Sequence, residues 1–249
     1  MRVTTGSLLA VVSIAMLCRL GVAQEASGQG ATSLNSIVEA LERTQARIRP
    51  KASYQVIREY RLFGANDSSA NSTVVAEVDF SPPASKNYRI QISSGSSRGE
   101  QVVRRVLDNE VESGSNGNQA RSALTRENYE FTYFGEAVLD GQPCYLLGLK
   151  PKRKEKNLIS GQAWVDKHLF LVRQIEGEVA KSPSWWLRKV RVKLTFEDVD
   201  GTWLQSNMEA VADVRMVGPH TLTSHTLDYR SANEVASTGT RMRHLDRKP

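Results

Sequence analysis

The sequence predicts an α+β domain: a strongly curved antiparallel β-sheet of about ten strands, an incomplete barrel, with two or three helices as a lid over a hydrophobic cavity. Three observations carry this. Apolar residues recur with period two along most of the chain, as where Val190, Val192, Leu194 and Phe196 alternate with Arg191, Lys193, Thr195 and Glu197. Asp-Gly pairs at 140–141 and 200–201 separate such runs, the composition of two-residue hairpin turns. Only two stretches of useful length, 34–49 and 99–112, show the three-and-four spacing of an amphipathic helix. A helix is ~10 Å across and neighbouring strands are ~4.8 Å apart, so two helices roof only about four to five strands. A sheet twice as wide has to curl on itself to hide its dry face.

Each element has its own signal. Residues 1–23 read as a secretory signal peptide: Arg2 precedes an apolar run from Leu8 to Leu17, and Gly21-Val22-Ala23 has the small residues of a cleavage site. That run is too short to span a bilayer as a stable helix. Leu17 before Cys18 is too bulky for a lipid-attachment site, so the expected product is exported and unlipidated. Residues 24–31 form a polar leader, and the domain is expected over 32–231. Leu34, Ile37, Leu41, Thr44 and Ile48 make the stripe of a first helix, which stops before Pro50. Strands follow around 54–62, 74–80 and 88–92. Val102, Val103, Val106, Leu107 and Val111 then share one side of the second helix, which ends at the GSNGN stretch, with a short helical piece around 120–125 after it. From Asn128 only strand patterns remain: the hairpin about Asp140-Gly141, then 159–166, 169–177, 187–198, 202–216 and 221–229. Residues 232–249 lack periodicity and read as a polar tail.

Composition excludes some classes of function. Loss of the signal removes Arg2 and Arg19 but no acid, so the formal charge falls from +6 to +4. A nucleic-acid binder usually concentrates more charge than this. The mature chain keeps one cysteine, Cys144, so its stability rests on a hydrophobic core and not on an internal disulfide. Asn66 and Asn71 match the glycosylation acceptor pattern, which matters only in a eukaryotic secretory route.

Asn128-Tyr129-Glu130-Phe131, Leu139-Asp140-Gly141, Cys144-Tyr145-Leu146-Leu147, Lys150-Pro151-Lys152, and Gly161 with Trp164-Val165-Asp166 together resemble the outer-membrane lipoprotein-sorting proteins of the LolA-like group. The resemblance continues through Trp203 and Asp228-Tyr229 and covers the last half of the chain best. It implies a curved antiparallel sheet with a helical lid, a soluble periplasmic location, and reversible binding of a lipid or the acyl chains of a lipoprotein. It also implies an alternative, since relatives serve as receptors or stress sensors: an envelope module that signals through a protein partner. A monomer is expected.

The residues offer no sign of bond-making chemistry. His220 and His225 are five apart on a strand, hence on opposite faces, and cannot hold one metal. His168 and Asp166 read as parts of a turn, Cys144 as a small buried apolar residue, and Glu197 and Asp198 as solvated. No GxSxG elbow, HExxH helix or phosphate-binding glycine loop is present. The sequence therefore predicts neither catalytic residues nor a metal nor a cofactor.

Candidate binding residues follow from parity. In the hairpin, Tyr145, Leu147 and Leu149 share one face and Cys144, Leu146 and Gly148 the other. The Tyr145 row is expected to line the cavity with Val190, Val192, Leu194 and Phe196, and with Val103 and Leu107 from the second helix. The other reading is that all of these fill a sealed core. Lys152, Arg153 and Lys154 fall in a basic loop, and Trp185-Trp186 in an aromatic one. These are candidates for contact with an anionic membrane surface or an envelope membrane protein, or are a solvated turn and a packed pair.

Overall fold

The computed structural model describes residues 33–48, 50–65, 67–114 and 118–231. The expected signal peptide, leader and tail, and Asn66, lie outside them. Among the described residues the elements are α1 (Leu34–Arg47), β1 (Tyr54–Phe63), β2 (Ser72–Ser81), β3 (Ser85–Gly95), α2 (Ser97–Gly114) and α3 (Asn118–Ser122). They continue with β4 (Tyr129–Leu139), β5 (Gln142–Pro151), β6 (Ile159–Asp166), β7 (Val172–Val179), β8 (Leu187–Val199), β9 (Thr202–Val214) and β10 (Gly218–Ser231). All ten strands join one antiparallel sheet in the order β3-β2-β1-β10-β9-β8-β7-β6-β5-β4. β3 and β4 remain as free edges, so the sheet is an incomplete barrel with a helical lid. The crossover between those edges is α2 and α3, the helical insert read from the sequence.

Local chemistry sets the element ends. Ser33 caps α1 by accepting the Ser36 amide at 3.2 Å, and the Ile48 amide closes its last turn on the Thr44 carbonyl. The helix therefore stops at Arg47, two residues earlier than the apolar stripe suggests. α2 starts two residues before and ends two after the expected span of 99–112, and α3 lies slightly earlier than expected. β7 begins at Val172 and not at Leu169. Asp166 takes the His168 and Leu169 amides on Oδ1, both at 2.8 Å, and Phe170 turns back with φ +53°. The apolar Leu169-Phe170 pair thus belongs to a turn. Both Asp-Gly turns form as expected, with φ +49° and +78° at 140–141 and +50° and +79° at 200–201.

The dry face of the sheet is divided. Ile37, Val38 and Leu41 of α1 pack with Tyr129, Tyr145, Leu147, Leu149, Ala163 and Val165 over the β4 side. Val103 and Leu107 of α2 pack with Tyr60, Val74, Ala76, Val78 and Leu222 over the β1–β2 side. A third cluster joins Tyr54, Val56, Phe80 and Leu204, with the Tyr54 and Phe80 rings stacked at 4.9 Å. Single domains usually bury one contiguous core. Here the helices cover the two flanks of the sheet separately.

Candidate functional site: an apolar trough between two helix-covered flanks

Between the flanks lie β8 and β9. Cross-strand partners in a sheet share a face, so register identifies what stands on the dry side there. One row runs Leu149, Gly161, Gly177, Val192, Ala210 and Leu222 from β5 to β10. The next runs Leu147, Ala163, Ile175, Leu194, Met208 and Ser224. The centre of the first row is two glycines, a valine and an alanine, with Ala212 beside them opposite Val190. These are small side chains, and all but Val190 stay half-buried, whereas Ala76 and Ala163 on the flanks are fully buried. Gly161, Gly177, Val192, Ala210 and Ala212 thus form a half-buried apolar strip, the trough, with Leu194 and Phe196 packed against the α1 cluster and Met208 and Ala210 against the α2 cluster.

Two glycines make this floor possible. A Cβ on Gly161 would lie 2.1 Å from the Glu176 carbonyl oxygen, and one on Gly177 would lie 2.3 Å from that of Ser160. The backbones of β6 and β7 therefore approach more closely than any side chain allows.

The flanks are pinned by polar groups. Arg58 projects from the dry face of β1, buried, and its Nη1 donates to Glu110 Oε2 of α2 at 2.8 Å. Lys86 of β3 donates to the other Glu110 oxygen at 2.7 Å. Burial alone would raise the Glu110 carboxyl, but Arg58 and Lys86 outweigh it and hold it at about 2. Burial opposes the charge on Arg58 too, and Glu110 more than restores it. Tyr54 and Tyr60, beside this pair, are pushed up to about 12 by burial. At the other end of α2, Gly99 lies against Ser72, where a Cβ would fall 2.1 Å from the hydroxyl oxygen. α1 is held less deeply. Arg126 pairs with Glu42 at 2.8 Å and donates to the Asn35 carbonyl, and Gln45 donates to the Leu124 carbonyl.

The candidate residues named from the sequence divide accordingly. Tyr145, Leu147 and Leu149 lie buried under α1, Val103 and Leu107 lie buried under α2, and the two groups belong to different clusters. Val190 is buried at the trough's edge, while Val192, Leu194 and Phe196 are half-buried within it. Much of the basic loop is committed to the protein itself. Arg153 donates to Glu155, to buried Asn128 Oδ1 at 2.7 Å and to the Arg121 carbonyl, and Lys152 donates to the Arg126 carbonyl. Lys154 is exposed. Trp185 is exposed and Trp186 half-buried. Residues that sequence reasoning missed are Arg58, Glu110 and Lys86, and the small side chains of β9.

The turn and thiol groups are engaged within the protein. Asp166 also accepts from Arg173 Nε at 2.6 Å, and its carboxyl is lowered because these bonds outweigh its burial. Cys144 is fully buried, and burial raises its thiol. His220 and His225 stand opposite Ala212 and Asn207, on opposite faces. Among the described residues no three His, Cys, Asp or Glu side chains gather as metal ligands, and no helix is long and apolar enough to cross a membrane.

No family model matches the chain and no curated protein does. Among solved structures, a putative outer membrane lipoprotein-sorting protein domain from Vibrio parahaemolyticus is 15% identical, with 78% of this chain and 92% of that chain covered and a TM-score of 0.42. The chain is similar to LolA-like proteins. A LolA superfamily protein from Nitrosomonas europaea is 16% identical over 80% of this chain and 94% of its own, with a TM-score of 0.36. A DUF1329 family protein from Desulfovibrio piger is 15% identical over 80% and 92%, with a TM-score of 0.43. These likenesses are of fold, and function has to be sought in the trough itself.

Proposed function

We propose that this chain is an exported, periplasmic carrier or binding protein that takes a lipid, or the acyl chains of a lipoprotein, along the trough of β8 and β9. The division of the interior carries this reading: two helix-covered clusters flank a strip of small apolar residues that neither covers fully. An acyl chain is a guest that such a strip can accept without any directed polar contact. Burying about fifteen carbons at ~0.8 kcal/mol each gives roughly 12 kcal/mol gross, from which ordering must be subtracted. Half-burial in an open strip yields less, which suits release as well as capture. Tyr145, Leu147 and Leu149 under α1, and Val103 and Leu107 under α2, are reached only when the covering helix shifts. α1, with its shallower attachments, is the one to move.

Leu194→Glu tests this. The side chain is half-buried, so the fold should survive while a carboxylate placed in the strip excludes alkyl chains. Binding of a fluorescent fatty-acyl probe is expected to fall at least ten-fold with the melting midpoint changed by only a few degrees, and lipid in organic extracts of the exported protein should disappear from its mass spectrum. Global unfolding would mean a sealed core. Unchanged probe binding would remove the guest from this strip. Retention of a membrane-anchored protein partner, with no extractable lipid, would favour the sensor alternative.

A further inference from the structure

The end of the sheet nearest the trough floor carries an apolar projection. The β7–β8 loop and the β9–β10 turn meet there, with the Arg215 amide donating to the Trp186 carbonyl at 2.9 Å. Trp185 is 83% exposed, Met216 103% and Val217 61%. Met216 also holds φ +69°, a conformation that turns usually give to Gly, Asn or Asp. The hairpin turns at 140–141 and 200–201 follow that rule and this one does not. Nor is the loop loose: Ser182 donates to the Ser184 and Leu187 carbonyls at 3.0 and 2.9 Å, and the Leu187 amide donates to Ser184.

Charge on the two loops themselves has one sign. Lys181, Arg188 and Arg215 are exposed, and none has an ion-pair partner among the described residues. Residues 180–188 and 214–220 include no Asp or Glu. On the adjoining segments Glu155 is paired with Arg121 and Arg153 and Glu178 with Lys189, while Asp67 accepts from the neutral Gly64 amide and Asn71 and keeps its charge. Asp213 stands opposite Lys189 in the sheet.

We infer that Trp185, Met216 and Val217, with Lys181, Arg188 and Arg215, form a tip that docks on an anionic bilayer surface. Tryptophan favours the headgroup boundary, methionine and valine gain by entering the acyl region, and the cations stay among lipid phosphates. A protruding apolar point ringed by cations fits a bilayer better than a second protein, which would need a groove and acids to receive it. The tip places the trough's near end at the membrane, but its docking does not depend on the trough holding a guest.

Co-sedimentation of the exported protein with phosphatidylcholine vesicles, with and without 30% phosphatidylglycerol, measures this. Binding is expected to the anionic vesicles, and each cation near the surface should strengthen it roughly five-fold at low salt. Trp185→Ser with Met216→Ser and Val217→Ser should weaken it at least ten-fold, and brominated acyl chains should quench wild-type tryptophan fluorescence. Lys181→Gln with Arg188→Gln and Arg215→Gln should abolish the preference for phosphatidylglycerol. All six side chains are exposed, so melting midpoints should not change, and acyl-probe binding in solution should persist. Absence of wild-type binding, or equal binding by the apolar triple variant, overturns the inference. So does a variant that binds vesicles normally but loses a protein partner.

Discussion

A guanidinium on the dry face of a sheet and a carboxylate on the helix packed over it are stable there only as partners. Removing one leaves the other buried and uncompensated, at a cost of about 3–5 kcal/mol, so Glu110→Ala should destabilise the protein by that order. Acid reaches the same contact without mutation. The Glu110 carboxyl sits at about 2 in the folded chain against an ordinary value of 4.5. Its stabilising effect is therefore complete above about pH 4.5 and is lost as pH falls through 2, amounting to about 3 kcal/mol in all. Urea unfolding at a series of pH values should show stability declining over that window, and Glu110→Gln should flatten this part of the decline. Equal slopes in both proteins would show that the pair does not hold α2. Half of this was legible: Arg58 falls in register with the apolar Tyr54, Val56, Tyr60 and Leu62, and Glu110 lies three residues after Leu107 on the buried side of its helix. Each reads as a charge on the wrong face. That the two errors cancel depends on which helix packs over which strand, and no local pattern encodes it.

At the scale of elements, strands were legible because alternation forces them, and their ends were less so because side-chain bonds decide them. Asp166 shows why. Its capture of two amides lengthens a turn through Leu169 and Phe170, residues whose hydrophobicity alone suggests a strand. The close approach of β6 and β7 was equally hidden, since Gly161 and Gly177 are sixteen residues apart in sequence and meet only through register. Because a methyl group at Gly177 would strike the Ser160 carbonyl and the Gly161 Cα, and both are backbone, relief requires the strands to separate. Gly177→Ala should cost at least about 3 kcal/mol, the upper end of the usual overpacking of side chains that can rotate away. Thermal melts would report it. A change within about 0.5 kcal/mol would mean that the strands have freedom to part.

For the whole molecule the question is whether the middle of the dry face is full or open, and the two answers make opposite forecasts for one substitution. Ala210 lies on the trough floor between Val192 and Leu222. In a sealed interior, Ala210→Leu would force extra carbons into filled space, destabilising by roughly 1–3 kcal/mol. In an open trough the same carbons enter space that water or a guest would otherwise take, and their burial adds up to about 2 kcal/mol of stability. For a chain of this length each kcal/mol moves the melting midpoint by about 2–4 °C. Ala210→Leu is thus expected to melt a few degrees higher and, having filled the guest's place, to bind a fatty-acyl probe at least ten-fold more weakly. Ala76 provides the control. It is fully buried beneath α2 on the same dry face, in a covered flank, and Ala76→Leu should destabilise. Curling of a wide sheet beyond the reach of two helices could be read from strand count and helix number. The placing of Gly161, Gly177 and Ala210 beside Val192 could not, because these residues meet only through register across strands separated in sequence. If Ala210→Leu and Ala76→Leu destabilise alike, the middle is core like the flanks, and the fold remains without a place for a guest.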